Sequence, residues 1–378
     1  MAEAPFFELQ ATCPLTGARA GLLHTAHGSI STPIFMPVGT QGTVKALTQA
    51  QLHELEAQVI LGNTYHLYLR PGLQVLEAAE GLHRLMGWNR PILTDSGGYQ
   101  VYSLAANRKI SEEGVGFKSH IDGSKHFFTP KNVVDKQRSI GSDILMVLDE
   151  CPPAQSERGY LLRSLALTHR WAAEARHYFL QQPETYGYRQ HQFGIVQGGV
   201  LADLRRQSAQ AIVDLNFEGN AIGGLSVGEP TEEMYEMTEV VTALLPTHKP
   251  RYLMGVGTPA NILQSIALGV DMMDCVLPSR NARHGLLYYW DGIRNLKNRQ
   301  YEQDFAPLDA TSQLPADAYS RAYVRHLFKA QEYLALTLAT AHNLHFYLRL
   351  VGEARRHILA GSFAGWYRSA LAQLEQRH

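Results

Sequence analysis

Cysteine is scarce in this chain of 378 residues. The three cysteines stand at positions 13, 151 and 275, and no two of them form a Cys-x-x-Cys pair. That spacing argues against a disulfide framework and against a zinc site built from cysteines. Small secreted scaffolds and cysteine-zinc modules are therefore poor interpretations of this sequence.

Long apolar runs and an excess of one charge are also missing. No apolar run approaches about 18 residues, so we expect no membrane span. The N-terminus lacks the basic start and apolar segment of a secretory signal, which favours a cytoplasmic protein. The net charge of −1 gives no overall attraction to nucleic acid, so RNA binding would need a local basic patch.

Eight short apolar runs alternate with segments of helical period. The runs are Ile34–Val38, Val59–Gly62, Ile92–Asp95, Ile144–Asp149, Phe193–Gln197, Ala221–Leu225, Tyr252–Val256 and Val270–Cys275. Helical segments between them include Ala154–Leu180, Ala202–Leu215 and Glu232–Leu245. The alternation predicts an α/β fold, a (β/α)8 TIM barrel, as a single catalytic domain over residues 1–378. A doubly wound open sheet is the competing architecture.

Two segments depart from this alternation. Residues 110–128 carry Asp-Gly-Ser between alternating apolar residues, which predicts a hairpin inserted near the barrel mouth. Residues 286–350 predict an appended subdomain rather than an independent domain. The elements expected in and after it are a hairpin at Leu286–Ile293, an irregular stretch at 295–316, and helices at Tyr319–Leu338 and His342–Leu359.

The stretch from Asp271 to Gly285 carries the clearest chemistry. Its apolar run predicts a buried strand that ends near Asp274, and Pro278 then predicts a loop containing Arg280 and Arg283. A carboxylate beside several cations suits an enzyme that attacks a group attached to phosphates. The alternative is a strand-end aspartate in an ion pair with Arg280.

Polar residues end several of the other runs, and in a barrel those ends meet on one face. Asp95 and Asp274 together suggest paired carboxylates for a double displacement at an anomeric carbon. Alternatively, Asp95 caps the following helix. Asp149 could hold the N–H edge of a guanine-like base, or equally an arginine. Gln197 and the Gly224-Leu225 turn could donate to a carbonyl oxygen, although close loop packing also requires glycine.

Seven motifs in this order resemble the bacterial-type tRNA-guanine transglycosylases along nearly the whole chain. They are Asn63-Thr-Tyr-His, Thr94-Asp-Ser-Gly-Gly-Tyr-Gln, Asp149-Glu-Cys, Gly194-Ile-Val-Gln-Gly-Gly, Ala221-Ile-Gly-Gly-Leu-Ser-Val-Gly, Tyr252-Leu-Met-Gly-Val-Gly and Asp271-Met-Met-Asp-Cys-Val-Leu-Pro-Ser-Arg. The resemblance implies a base exchange at the wobble position of certain tRNAs, without an energy cofactor. By analogy, Asp274 attacks the ribose C1′, and Asp95 deprotonates the incoming 7-deazaguanine.

The same resemblance implies the substrate contacts. Asp149 would accept from N1–H and the exocyclic amine, while Gln197 and the Gly224 amide would donate to O6. Tyr99 and Met254 would sandwich the ring, and the Leu225 carbonyl would accept from the aminomethyl group of prequeuine-1 (preQ1). Asn63 and Cys151 are further residues of the substrate site. Arg280 and Arg283 would contact the tRNA anticodon loop. Cys151 and Val227 stand where queuine-using eukaryotic relatives carry Val and Gly, which favours preQ1 as the substrate.

One departure from the family concerns its structural zinc. Members carry Cys-x-Cys-x-x-Cys shortly after Pro-Leu-Asp, whereas Pro307-Leu-Asp309 is followed here by no cysteine, and only the histidine survives, as His342. We therefore expect no zinc and no other cofactor. Apolar packing by Leu314, Tyr319, Tyr323, Leu327, Leu334 and Phe346 is the expected substitute. The family's homodimer interface includes this region, so a homodimer is expected on an altered surface.

Two other functions remain open from the sequence. A non-catalytic tRNA-binding or partner subunit would explain the lost zinc ligands but not the retained Asp95 and Asp274. A barrel glycosidase acting on free sugars would explain the paired acids but not the basic residues after Asp274.

Overall fold

Strands and helices alternate through most of the chain. The structure, a computed structural model, describes residues 5–104, 108–153 and 155–374. Its strands in chain order are β1 (Phe7–Thr12), β2 (Arg19–Thr25), β3 (Gly28–Thr32), β4 (Ile34–Met36), β5 (Ile60–Gly62), β6 (Ile92–Thr94), β7 (Lys109–Ile110), β8 (Val115–Lys118), β9 (Lys125–Phe128), β10 (Ile144–Met146), β11 (His191–Val196), β12 (Gly219–Ile222), β13 (Arg251–Leu253), β14 (Met272–Asp274), β15 (Leu286–Tyr289) and β16 (Gly292–Asn295).

The helices connect these strands and follow the last of them. They are α1 (Gln49–Glu54), α2 (Thr64–Leu69), α3 (Leu73–Ala78), α4 (Leu82–Met86), α5 (Gly98–Leu104), α6 (Pro130–Ile140), α7 (Arg158–Gln181), α8 (Ala202–Asp214), α9 (Thr231–Thr242), α10 (Pro259–Ala267), α11 (Leu277–Arg283), α12 (Arg321–Ala330), α13 (Tyr333–Leu359) and α14 (Phe363–Leu374), with 3-10 turns at Arg299–Tyr301 and Pro315–Ala318. No helix in the described ranges is both long enough and apolar enough to cross a bilayer.

Eight parallel strands form the barrel, in the order β4-β14-β13-β12-β11-β10-β6-β5. A parallel bridge between Val38 and Leu61 joins the two ends of that order. The Leu61 amide donates to the Pro37 carbonyl at 3.0 Å, and the Gly39 amide donates to the Leu61 carbonyl at 2.7 Å. The predicted (β/α)8 barrel is therefore confirmed, and the open sheet, which would leave both edges unpaired, is wrong.

Each of the eight predicted apolar runs overlaps one barrel strand. Most strands are shorter than the run, because the polar residues at its carboxyl end turn out of the sheet. The strands read as continuous apolar runs since helices cover the outer face and side chains fill the interior. The predicted helices at 202–215 and 232–245 correspond to α8 and α9, and that at 154–180 to α7, although Ala154 lies outside the described residues.

The additions to the barrel are partly as predicted. The inserted hairpin is confirmed as β8 and β9, with β7 as a third strand, and the hairpin after the barrel is confirmed as β15 and β16. The antiparallel sheet of β1, β2 and β3 was not predicted.

The predicted division between the last two helices is wrong. Helix α12 ends at Ala330, because the next residue, Gln331, has a φ of +59°, and α13 then runs unbroken from Tyr333 to Leu359. Thr340 and His342 interrupt the apolar pattern, yet both are buried and do not end the helix. Helix α13 packs against α11, α12 and β15 and also against β1, β2, β4 and α10, so it connects the appended region to the barrel.

Candidate active site

Asp274 is the last residue of β14, where the strand opens onto the barrel mouth. Its Oδ1 accepts hydrogen bonds from the Tyr252 hydroxyl at 2.6 Å and from the Gly255 amide at 2.8 Å. Among the described residues, no donor reaches Oδ2 and no salt bridge joins Asp274 to Arg280. The ion-pair interpretation of Asp274 is therefore wrong, and one carboxylate oxygen stays free to react.

Asp95 follows β6 and is held by three neutral donors. Its Oδ1 accepts from the amides of Thr64 at 2.9 Å and Gly97 at 3.2 Å, and its Oδ2 accepts from the Asn63 side chain. The Asn63 Oδ1 in turn caps α2 by accepting from the His66 amide. Asn63 is thus the N-cap of α2 and a positioning group for Asp95 in this structure. Asp95 also holds the turn before α5 by accepting from the Gly97 amide.

Asp149 follows β10 and is buried beside Gln197. The Gln197 side chain donates from Nε2 to Asp149 Oδ2 at 2.7 Å, and the Ser96 hydroxyl donates to Oδ1 at 3.4 Å. The Gln197 side chain also lies within hydrogen-bonding reach of the Cys151 thiol, which is a weak acceptor, so an oxygen on a ligand would compete well for the second Nε2 hydrogen. No arginine forms a salt bridge with Asp149 within the described ranges, so the alternative arginine partner is wrong.

All three carboxyl groups have raised pKa values. Burial raises the pKa of Asp95 to about 7, and the nearby charge of Asp274 adds to that shift against the hydrogen bond from Thr64. Burial also raises the pKa of Asp149 to about 6, partly offset by the hydrogen bond from Gln197. The pKa of Asp274 is raised by burial as well, against the hydrogen bond from Tyr252. A carboxyl group with a pKa near neutral, such as that of Asp95, suits general acid–base catalysis.

The predicted glycine turn lies directly against this group. Gly224 has a φ of +62°, and a Cβ on it would lie 2.1 Å from the Gln197 Oε1. Glycine is therefore required both by the backbone conformation and by the close approach. Leu225 and Cys151 are buried next to this turn. Burial, followed by the charge of Asp149, raises the pKa of Cys151 to about 12, so this thiol stays neutral.

Four predicted residues lie nearer the solvent. Tyr99 on α5 is 49% exposed, and Met254 after β13 is partly buried, with its amide bonded to the Ile222 carbonyl at 3.1 Å. The predicted loop around Arg280 and Arg283 is instead helix α11, because Pro278 occupies its first turn, where proline needs no amide partner. The two arginines therefore stand one helical turn apart, with Arg280 exposed and Arg283 donating to the Ser279 carbonyl at 2.9 Å.

Several residues at this site escaped the sequence interpretation. Tyr252 belongs to an apolar run and to the motif Tyr252-Leu-Met-Gly-Val-Gly, but neither assigns it the role it has here as the hydroxyl donor to Asp274. Ser96 and Thr64 each follow a predicted site residue directly, which was the available signal. Glu229 accepts from the amides of Ser226 and Val227 and shapes the loop after Leu225. No sequence signal pointed to Glu229.

The donors around His342 do not fit a tetrahedral zinc site. The His342 Nδ1 lies 2.6 Å from Asp317 Oδ1, and its Nε2 lies 2.9 Å from the Tyr288 carbonyl, so both ring nitrogens are occupied. All three thiols lie elsewhere, in Cys13, Cys151 and Cys275. Structural zinc sites need four nitrogen or sulfur ligands, whereas the described neighbourhood of His342 adds one further imidazole, that of His345, together with the Asp317 carboxylate and the Tyr288 carbonyl.

The predicted apolar substitute for zinc is only half correct. Leu314, Leu327 and Phe346 are buried, whereas Tyr319, Tyr323 and Leu334 are 40% or more exposed. The loop is closed mainly by polar contacts. Besides the contacts of His342, the loop has a β-bridge between Pro307 and Ser320 and an ion pair between Arg349 and Asp309. The Leu308 amide also donates to the Tyr319 carbonyl, and the Asp309 amide donates to the Asp317 carbonyl.

One other group of described residues gathers three side chains that could ligate a metal, namely His27, His83 and Asp143. It lies at the opposite end of β10 from Asp149. The two imidazole rings stack at 3.6 Å, and the His83 Nε2 lies 3.1 Å from the Arg90 carbonyl, which requires a hydrogen on that nitrogen. Parallel rings and a protonated nitrogen do not suit a shared metal, so we interpret this group as a hydrogen-bonded cluster.

Comparison with known proteins agrees with the site. The family model described as "Queuine tRNA-ribosyltransferase" matches residues 13–376. A protein of that name from Caldanaerobacter subterraneus is 54% identical over 344 residues, covering 91% of this chain and 90% of the relative. Those from Solidesulfovibrio magneticus and Solibacter usitatus are 53% and 52% identical, covering 94% and 97% of this chain and 95% and 98% of the relatives. The family match and the identity to these relatives, together with the eight-stranded barrel and the acids at its mouth, show that this chain belongs to the queuine tRNA-ribosyltransferase family.

Proposed function

We propose that this protein is a tRNA-guanine transglycosylase that exchanges guanine at wobble position 34 for preQ1, a step of queuosine biosynthesis. The observation that carries the proposal is the free Oδ2 of Asp274 beside two carboxyl groups that lack cationic partners. An enzyme that forms a covalent bond to an anomeric carbon needs such an unpaired carboxylate oxygen.

In the first displacement, Asp274 Oδ2 forms a bond to the ribose C1′. The bond from C1′ to N9 of guanine breaks, and its electron pair stays on the base. Asp95, with its pKa of about 7, supplies a proton to the leaving guanine. In the second displacement Asp95 takes the proton from N9 of the incoming base, whose nitrogen then attacks C1′ and releases Asp274. The Tyr252 and Gly255 donors hold Oδ1 throughout, which orients Oδ2.

The base would be recognised along its hydrogen-bonding edge. Asp149 accepts from N1–H and the exocyclic amine, while the second Nε2 hydrogen of Gln197 and the amide of Gly224 donate to O6. Tyr99 and Met254 sandwich the ring, and the Leu225 carbonyl accepts from the aminomethyl group. Cys151 and Val227 would limit the room for a bulkier 7-substituent.

The tRNA would dock on the exposed side of α11. Arg280 and Arg283 lie just beyond Asp274 on one helix, where phosphates flanking an extruded nucleotide would reach them. We expect the enzyme to act in the cytoplasm and as a homodimer. The half-exposed rings of Tyr319 and Tyr323, stacked at 5.8 Å, offer an apolar surface for a second copy.

The enzyme would need no zinc. The hydrogen bonds of buried His342 to Asp317 and to the Tyr288 carbonyl would take over the role of metal–ligand bonds, and the ion pair between Arg349 and Asp309 supports the same loop. Metal analysis of protein purified without chelator should find well below one zinc per chain. Unfolding temperature and exchange should both survive a strong chelator, and stoichiometric tightly bound zinc would overturn this point.

The exchange itself is tested with labelled guanine and unmodified tRNA. We expect incorporation of label and, on a denaturing gel, an RNA–protein adduct that disappears when Asp274 is replaced. Tight tRNA binding without label or adduct would favour the non-catalytic binding subunit. Hydrolysis of free glycosides without action on tRNA would favour the glycosidase.

A further inference from the structure

Arg205 lies in the first turn of α8 and is fully buried. A buried cation is costly, and a cation near a helix N-terminus also opposes the helix dipole. Burial lowers the pKa of Arg205 to about 10, which leaves the group charged at neutral pH. Its retention therefore calls for specific contacts that offset these costs.

Those contacts are all with main-chain carbonyl oxygens. The Arg205 Nε donates to Gly199 at 2.7 Å, Nη1 donates to Val196 at 3.1 Å and to Gly223 at 2.7 Å, and Nη2 donates to Gly224 at 3.0 Å. One planar guanidinium thus joins the loop after β11 to the loop after β12. Only arginine has donors spread widely enough for this arrangement.

The contacts determine where the amides of the second loop point. In a planar trans peptide, the carbonyl of one residue and the amide of the next point in opposite directions. Because the Gly223 carbonyl points to Arg205, the Gly224 amide must point away from it. Gly224 also packs closely against the Gln197 side chain, which bonds to Asp149.

We propose that Arg205 is a positioning residue for base recognition. It holds the two loops so that the Gly224 amide and the Gln197 side chain face the O6 of the bound base together. Arg205 itself does not touch the base. This inference rests on the proposed function, since it assigns the O6 donors to Gly224 and Gln197.

The test compares guanine with 6-thioguanine as competitors for exchange on the full-length enzyme with tRNA. The thio analogue keeps N1–H and the exocyclic amine but replaces O6 with sulfur, a weaker acceptor. The wild type should prefer guanine. In Arg205→Lys that preference should fall about tenfold, with a raised KM for the base and an unchanged KM for tRNA. If Arg205→Lys does not fold, Arg205→Gln serves for the same measurement.

Arg138 provides a matched control. It is also a buried arginine that donates to main-chain carbonyls, those of Phe179 and Pro183 at 3.0 Å each, but on the outer helices α6 and α7. Arg138→Lys should lose stability yet keep the wild-type preference for guanine. A wild type without any preference would overturn the proposed base recognition. A wild-type preference that persists in a folded Arg205 variant would overturn the positioning role alone.

Discussion

The two ends of the barrel surround their buried acids with different kinds of partner. Strands β10 and β14 each have an aspartate at both ends: Asp143 and Asp149 flank β10, while Asp271 precedes β14 and Asp274 ends it. The members of each pair are close in sequence and belong to the same strand. Their different surroundings therefore come from the elements that pack against each end.

At the amino end the acids have cationic or imidazole partners. Asp271 accepts from the Arg19 guanidinium at 2.5 and 2.9 Å and from the Arg251 amide at 2.7 Å. Asp143 lies 2.8 Å from the His27 Nδ1 and 3.2 Å from the His83 Nε2. Burial alone would raise the pKa of Asp143, but these hydrogen bonds outweigh it and the net pKa is lowered.

At the carboxyl end the corresponding acids have only neutral donors, and their pKa values are raised. Burial raises the pKa of Asp271 as well, against the charge of Arg19. The two ends therefore differ in the partners of both pairs of acids, and in the direction of the pKa shift only for the pair that flanks β10. A buried carboxylate without a cation is unfavourable for folding but reactive toward protons and electrophiles. The comparison indicates that the amino end stabilises the barrel while the mouth retains unpaired charge for chemistry. Four predictions test that division.

The largest expected effect is the loss of base exchange caused by Asp274→Asn. An amide cannot act as the nucleophile, so exchange should fall by about a thousandfold or more and the adduct should vanish, while tRNA still binds. Guanine exchange and denaturing gels measure both. The control is Asp271→Asn at the other end of the strand, which should lose about 3–5 kcal/mol of unfolding free energy but still form the adduct when folded. Near-wild-type exchange by Asp274→Asn would remove its nucleophilic role.

The second prediction concerns how the unfolding free energy depends on pH through the two aspartates that flank β10. Since the pKa of Asp149 is raised from 3.8 to about 6, its contribution to stability is present at low pH and is lost as pH rises through about 6. Asp149→Asn should therefore gain about 2 kcal/mol relative to wild type between about pH 4.5 and pH 8. Urea unfolding at the two pH values measures this difference.

Asp143→Asn is the counterpart. Its lowered pKa means that its stabilisation is present above the unfolded pKa and is lost only as pH falls through the lower folded value. The variant should thus be less stable than wild type at both pH values, and it should not gain stability relative to wild type with rising pH as Asp149→Asn does. Equal pH dependence in the two variants would contradict the distinction between the barrel ends.

The third prediction concerns the charges beyond the mouth. Arg280→Ala or Arg283→Ala should weaken tRNA binding and reduce the salt slope of affinity by about one counterion per lost phosphate contact. Arg84→Ala provides the control, because Arg84 is exposed beside His83 at the amino end and pairs with Glu80. Binding titrations at several salt concentrations measure the slope. A salt slope that changes equally in all three variants would contradict a local tRNA-binding patch at Arg280 and Arg283.

The smallest expected effect is on substrate range. Val227 is partly buried on the loop after β12, and Val227→Gly should open the rim where the 7-substituent leaves the base. Queuine should then compete several-fold better against guanine, in line with the loss of a few methyl contacts. Competition assays with guanine as the internal reference measure the change. Unaltered queuine competition would locate the selectivity elsewhere.

The sequence alone determined the barrel and the identity of most acids at its mouth. Eight apolar runs were visible because both faces of each strand are covered, and Asp95, Asp149 and Asp274 followed such runs. Parallel strands around a barrel must bring those ends together, so the convergence needed no knowledge of individual contacts. The break assigned between the last two helices failed because buried polar residues mimic a helix end.

Only the tertiary structure decided which acids are paired and which are free. The partners of Asp143 include His27 and His83, and that of Asp271 is Arg19, all distant in sequence and free of any periodic signal. The same holds for Tyr252 on Asp274 and for the four carbonyls around Arg205. Hydrogen bonds act over about 3 Å, so they depend on how the closed barrel brings separate elements into contact, which no local pattern encodes.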